Sequence, residues 1–210
     1  MAKPRSPVRG ERGRGSAGPY ERTLAEAAKQ PQTVTSEGVS VAPLLDGVKR
    51  HSVTTHVDER GFLVELFDPR WEWVEEPLVS AYVTTVRPGY AKGWGLHKNH
   101  SDRYFLLFGH LELVLYDVRP ESPTYGQVSV NKVSEYNRGH VTIPPFVWHA
   151  LRNIGSTDVV VINFPTILFD HADPDKYGLP LENDVIPYSF AGTPGWYGRR
   201  SALHGPASYP

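Results

Sequence analysis

Between residues 51 and 164, apolar residues recur at every second position in short stretches, the period of an extended chain with one side buried. Over residues 110–118, Leu111, Leu113 and Leu115 point one way and Glu112, Val114 and Tyr116 the other. The run 79–86 is β-branched and aromatic, and residues 52–57, 62–66, 104–108, 127–134, 141–143, 148–153 and 159–164 read as further strands. Turn-forming clusters separate them, among them Asp58-Glu59-Arg60-Gly61, Pro120-Glu121-Ser122-Pro123 and Asn153-Ile154-Gly155-Ser156. Many short strands with no long helix between them predict an all-β sandwich or barrel.

The alternation stops towards both ends. Residues 1–45 are expected to be a flexible tail: the first 18 are rich in Arg, Gly, Pro and Ser and carry too little apolar surface to offset their ordering entropy. One short helix is expected at 21–30. Arginines alternating with glycines there give a weak RNA-binding signal. The folded domain is placed at 46–190, and 191–210 is read as an irregular tail.

Composition narrows the picture. The chain has 210 residues, 40% of them hydrophobic, enough for one domain with a sizeable core. Its 19 glycines, 19 prolines and 11 tyrosines favour strands and turns over helices. A net charge of −1 offers no attraction to nucleic acid or an acidic membrane, so neither is expected as a partner. Without cysteine there is neither a disulfide framework nor a thiolate zinc site. No apolar run has the length of a signal peptide core or a membrane span, and a cytoplasmic location is the expectation.

The candidate chemistry lies in two spaced motifs. Gly89, Gly95, His97, Asp102 and Gly109 follow the spacing of the first cupin motif, with Gly95 where its first histidine stands and Asp102 where its glutamate stands. Pro144, His149 and Asn153 fit the second, with Phe146 at a glycine position and Gly139 one residue too close. Residues two apart on a strand share a face. On a concave sheet that face is the barrel interior, where a carboxylate and another imidazole from neighbouring strands complete a divalent-metal site. His97, Asp102 and His149 are therefore expected to share one cavity and form the candidate metal ligands. Weak occupancy is expected, because Gly95 supplies no imidazole.

Longer segments carry a family resemblance. Asp58-Glu59-Arg60-Gly61-Phe62 followed by Glu65, Asp117-Val118-Arg119 followed by Ser122-Pro123-Thr124-Tyr125-Gly126, and Ile143-Pro144 followed by His149 together resemble the dTDP-4-dehydrorhamnose 3,5-epimerase family. The resemblance covers about residues 51–164. It implies a cupin-type double-stranded β-helix, or jelly roll, with short flanking helices and no required cofactor. It also implies a homodimer, with residues 51–66 pairing across the interface, and a nucleotide-linked 4-keto sugar as ligand. The family chemistry is proton abstraction beside a carbonyl by a histidine and reprotonation by a tyrosine, with a lysine at the enolate oxygen.

At those positions the chain departs. Matching letters puts His97 at the base position, with Trp94 in place of an arginine. Matching spacing puts Gly95 there, with Lys92 in place of the arginine. The acid tyrosine falls near Asn163 or Phe164 and the lysine at Asp102, and His100 stands nearby as a displaced base. Exchange at both sugar carbons is accordingly expected to be slight. His97, His100, Asp102 and His149 are the catalytic candidates. Arg60 and Lys92 match diphosphate contacts, Glu65 a nucleotide contact, and Tyr82, Trp94, Tyr104 and Asn153 are further substrate-binding candidates. Three functions fit: a divergent nucleotide-sugar epimerase or isomerase, a metal-dependent cupin enzyme acting on another small molecule, or a sugar-nucleotide binding module without catalysis.

Overall fold

The computed structural model describes residues 18–193. Among them the chain forms twelve strands: β1 Lys49–Ser52, β2 Thr55–Asp58, β3 Gly61–Val64, β4 Tyr82–Val86, β5 Ala91–Leu96, β6 Asp102–Phe108, β7 His110–Asp117, β8 Val128–Ser134, β9 Gly139–Ile143, β10 Val147–Asn153, β11 Val159–Asn163 and β12 Tyr177–Gly178. Two five-stranded antiparallel sheets, ordered β1-β9-β6-β11-β4 and β12-β5-β10-β7-β8, make the expected jelly roll. No helix among the described residues is long and apolar enough to cross a membrane.

Alternation along the strands builds the core. Leu111, Leu113 and Leu115 of β7 meet Leu106, Val141, Ile143, Val159 and Val161 of the facing sheet. The opposite face of β7 is also covered: Val114 is buried with Ala91, Trp94, Ala150, Leu181, Ile186 and Phe190. The segment after β12 thus returns over the outside of its sheet. Buried there, Glu112 accepts from Tyr188 Oη at 2.8 Å and pairs with Arg152 at 2.5 Å.

The distinctive Ser-Pro-Thr-Tyr-Gly segment has a structural task. The buried Asp117 carboxylate accepts from the backbone and guanidinium of Arg119, from Ser122 Oγ and from Thr124 Oγ1. Burial alone would raise its pKa, but these donors hold the carboxyl well below the usual range. Thr124 Oγ1 also accepts from the Asp46 amide at 2.9 Å, so one carboxylate ties the β7–β8 turn to the chain entering β1.

The N-terminal region divides in two, one unit ending at Thr33 and the next beginning at Val34. In the first, α1 (Pro19–Glu26) starts before the expected helix at 21–30, because Pro19 suits a first helical turn and Glu21 accepts from the Gly18 amide at 2.7 Å. In the second, Leu45 is core, and Ser129 Oγ donates to the Pro43 carbonyl, so ordered contacts begin ahead of the compositional boundary at 46. The tail residues before 18 and after 193 lie outside the described residues.

Candidate active site

A bulge in β5 decides what faces the interior. Gly95 pairs with His149 but Lys92 pairs with Leu151, so three steps on β5 oppose two on β10. Both partners on β10 point inward, and Lys92 and Gly95 therefore do too. Ala91 and Trp94 are turned out. Strict alternation would have put residues 92 and 95 on opposite faces.

The result is a cavity of about 770 Å³, walled by β4, β5, β6 and β10 and covered at its mouth by the segment 165–177. Lys92 Nζ donates to Thr84 Oγ1 across it at 3.0 Å. Behind the His97, His100 and His149 rings that line it lies Asp102, 1% exposed. Its Oδ2 is 3.2 Å from His97 Nε2 and 3.4 Å from His149 Nε2, while Oδ1 is 3.8 Å from His100 Nε2. His97, Asp102 and His149, expected from their spacing to share one cavity, come together in one cluster with His100, the three rings lining the cavity and the carboxylate behind them.

Sequence order hides how that carboxylate is supported. Asn163 on β11 pairs with Tyr104 on β6 and with Tyr82 on β4, so the three side chains stand in a row on the cavity face. The Asn163 amide donates to Asp102 Oδ1 at 2.6 Å and to Tyr82 Oη at 2.8 Å, and its oxygen accepts from the Arg103 amide at 3.0 Å. Asp175, absent from the motifs, clamps the loop after β5: its carboxylate accepts from the amides of Lys98 and Asn99 and from His100 Nδ1, and its carbonyl meets His97 Nδ1. It lies far along the chain from His97, in a stretch that reads only as Pro- and Asp-rich, so no local signal marks it.

Charge follows from this packing. Burial would raise the Asp102 pKa, yet His97, His149 and Asn163 lower it, and the group is a carboxylate at neutral pH. Burial would lower the His97 pKa, but Asp102 and Asp175 raise it above its ordinary value. His149 is pushed down by burial, only partly offset by Asp102, and is neutral. Burial, with the Asp102 charge adding to it, holds the Tyr104 phenol well above its usual range. The site thus offers one anion, imidazoles of unequal basicity and two phenols, a set suited to moving protons or holding a cation.

Several sequence candidates sit elsewhere. Trp94 borders the cavity along β5, but its indole is fully buried on the outer face, the N–H donating to the Leu181 carbonyl and the ring against Tyr188 and Phe190, so its side chain does not stack on a ligand. Asn153 is a turn bracket: it donates to the Val86 and Thr157 carbonyls and accepts from the Gly155 amide. Arg60 pairs with Asp58 at the tip of the β2–β3 hairpin, its side chain 83% exposed. Neither Arg60 nor the exposed Glu65 lines this chain's cavity. Tyr82, Lys92 and Tyr104 do line it.

Known proteins share this architecture. The chain is 32% identical over 141 residues to the probable low-salt glycan biosynthesis epimerase Agl13 of Haloferax volcanii, covering 67% of this chain and 90% of that one. It is 32% identical over 147 residues to the spore coat polysaccharide biosynthesis protein SpsL of Bacillus subtilis, covering 70% and 97%. Among solved structures, a dTDP sugar isomerase from Desulfovibrio desulfuricans superposes with a TM-score of 0.66 at 24% identity, over 70% of this chain and 93% of that one. The dTDP-4-dehydrorhamnose 3,5-epimerase of Bacillus anthracis superposes with a TM-score of 0.61 at 17% identity, over 70% and 87%. The family described as the polysaccharide biosynthesis C-terminal domain matches residues 56–177. That match runs through the jelly roll from β2 to β12, more than half of the chain, and the protein belongs to this family, with the cupin fold of the dTDP-sugar epimerases.

Proposed function

We propose that this protein is an epimerase or isomerase acting on a nucleotide-activated keto sugar. The observation that carries the reading is that imidazoles held by Asp102 and the Tyr82 phenol held by Asn163 line one cavity. The relatives in glycan and polysaccharide biosynthesis, and neighbouring structures solved with dTDP or dTDP sugars, support the substrate class. In this reading His97 Nε2 takes the proton beside the sugar carbonyl, and Asp102 stabilises the imidazolium that forms. Lys92 reaches the cavity to meet the diphosphate. Tyr82 returns a proton to the opposite face; His97 then releases its proton to solvent and Tyr82 takes one up. No resident cofactor is required for these steps.

A second copy completes this reading. The β2–β3 hairpin forms a separate two-stranded sheet that exposes Val57 and Leu63, 76% and 61% accessible. Such an apolar ribbon calls for a covering surface. In a homodimer paired through residues 51–66, Arg60 and Glu65 would meet the partner's cavity. Light scattering that finds a monomer at working concentration rejects this part.

The test is hydrogen exchange. Chelator-treated protein, incubated with a dTDP-4-keto-6-deoxy sugar in deuterated water, is expected to exchange hydrogen at a carbon next to the carbonyl. His97→Ala should slow that exchange roughly 10²–10⁴-fold. Nucleotide binding without exchange would identify a binding module, and neither binding nor exchange would reject the substrate class.

A further inference from the structure

Asn163 touches both sides of the proposed reaction, and its amide can make each of its bonds in one direction only. Its Oδ1 accepts from the Arg103 amide at 3.0 Å. A backbone N–H only donates, which fixes that end as the oxygen and the other as the NH₂. The two NH₂ hydrogens go to Asp102 Oδ1 at 2.6 Å and to Tyr82 Oη at 2.8 Å. The side chain is fully buried between Tyr104 and Tyr82 of the flanking strands, so solvent does not compete for these bonds.

That pattern decides where the phenol's own hydrogen goes. Tyr82 Oη accepts, and the amide nitrogen opposite has no lone pair to receive a hydrogen in return. Asn163 is the hydrogen-bond partner of Tyr82 among the described residues, and the phenol lines the cavity, so its O–H is left to whatever the cavity binds. Burial and the Asp102 charge raise the Tyr82 pKa, and the Asn163 bond works against them, which eases donation. The same amide parts Tyr82 from Asp102. A hydroxyl or carboxyl group at position 163 would accept from the phenol and donate to the carboxylate, a path for a proton. The amide donates to both and accepts from neither.

We propose that Asn163 is a positioning residue that aims the Tyr82 proton at the substrate and blocks proton passage between Tyr82 and the Asp102–His97 pair. This rests on the reading of His97 as base and Tyr82 as acid. Inversion needs the two kept separate. At one carbon, the C–H bond breaks to His97 Nε2 on one face, and a new C–H bond forms from the Tyr82 O–H on the other. With a path between them, Tyr82 would share its proton with an anion rather than offer it to the enolate, and the abstracted proton would travel round to the acid. With the path closed, His97 and Tyr82 each exchange their proton with solvent.

Asn163→Asp tests this, because a carboxyl keeps one bond and reverses the other. Two carboxyls in hydrogen-bond contact hold a single proton at neutral pH, so the net charge and the support of His97 persist. Tyr82 then donates to the new group, and its hydrogen turns away from the cavity. Both proteins, with the variant's fold verified by circular dichroism, are incubated with a dTDP-4-keto-6-deoxy sugar in deuterated water. Deuterium uptake beside the carbonyl and inversion at the same carbon are followed separately. Uptake should slow no more than about tenfold, since His97 returns solvent deuterium to its own face, while inversion falls at least ~10²-fold. Tyr82→Phe should show the same split. Equal loss of both rates, as a purely structural asparagine would give, overturns the proposal, and so does normal inversion. A second measurement uses wild-type protein alone: in a single turnover in deuterated water, the inverted carbon should carry solvent deuterium. Inverted product that keeps the substrate's own hydrogen reveals an internal path and overturns the proposal as well. Wild-type protein with neither uptake nor inversion rejects the catalytic reading, and the role of Asn163 falls with it.

Discussion

A Cβ placed on Gly95 would stand 3.0 Å from Nε2 of His149, its register partner on β10. The position where a cupin motif carries its first histidine therefore faces the cavity, but the His149 ring occupies the space a side chain would use. That ring has little room to yield, with its Nδ1 at the Val147 carbonyl and Tyr104 edge-on at 5.8 Å. Gly95→Ala is expected to destabilise the fold by ~1–3 kcal/mol, as overpacking does. Gly93→Ala should cost more, since its Cβ would lie 2.5 Å from the Ala150 Cβ and its φ of +137° disfavours a side chain. Denaturant melts with unchanged midpoints for both variants would contradict this packing.

Asn163 and Tyr82 separate stability from chemistry. Asn163 is fully buried and serves Asp102, Tyr82 and Arg103 at once. Asn163→Ala strands those partners and should cost roughly 2–4 kcal/mol. Tyr82→Phe removes one hydroxyl from a half-exposed ring and should change stability by less than about 1 kcal/mol while slowing sugar exchange. Equal losses of stability in the two variants would refute the division.

The Asp117 cluster predicts a defect remote from the cavity. Asp117→Ala leaves Arg119, Ser122 and Thr124 without their shared acceptor and loosens the link to Asp46. A loss of about 3–5 kcal/mol is expected for breaking a buried charged network, with nucleotide binding by the folded fraction unchanged. A parallel loss of nucleotide affinity would show that the turn shapes the cavity.

Acid sensitivity should come partly from His140. Its ring is buried among Trp71, Trp73, Phe105 and Phe164, with only the Leu66 backbone near its nitrogens. Burial lowers its pKa to about 4; the Leu66 backbone opposes this, while the nearby His51 and Arg103 charges add to it. Above pH ~6.5 the ring is neutral in both folded and unfolded chains and its contribution is fully present. As pH falls towards 4, the unfolded chain takes up a proton that the folded one refuses, and stability drops by up to ~3 kcal/mol. His140→Phe should flatten that part of the stability curve while remaining folded at pH 7. An unaltered acid limb would place the sensitivity elsewhere.

The strands were legible where the information is local. Residues 110–118 alternate because one side of β7 packs leucines between the two sheets while the other, covered by the returning C-terminal segment, carries the hydrogen-bonded Glu112, and the β2–β3 hairpin is announced by Asp58, whose carboxylate accepts from the Arg60 amide at 2.9 Å. β5 gave no such signal. Its Ala-Lys-Gly-Trp-Gly-Leu run is poor in strand formers and extends because β10 and β12 pair with it on either side. The short, polar β1 likewise depends on pairing with β9.

By itself, the sequence determined the fold class and the gathering of His97, Asp102 and His149, since a two-residue period and motif spacing translate directly into shared faces. Tertiary structure decided the rest. A one-residue bulge turned Lys92 inward and Trp94 outward, and a returning C-terminal segment buried that indole in a second apolar layer. Asn163 and Asp175 came to the carboxylate and histidines from distant parts of the chain. The physical reason is range: side-chain alternation is set by neighbouring backbone dihedrals, whereas the support of a buried charge depends on whichever donors the completed sheets bring within hydrogen-bond reach.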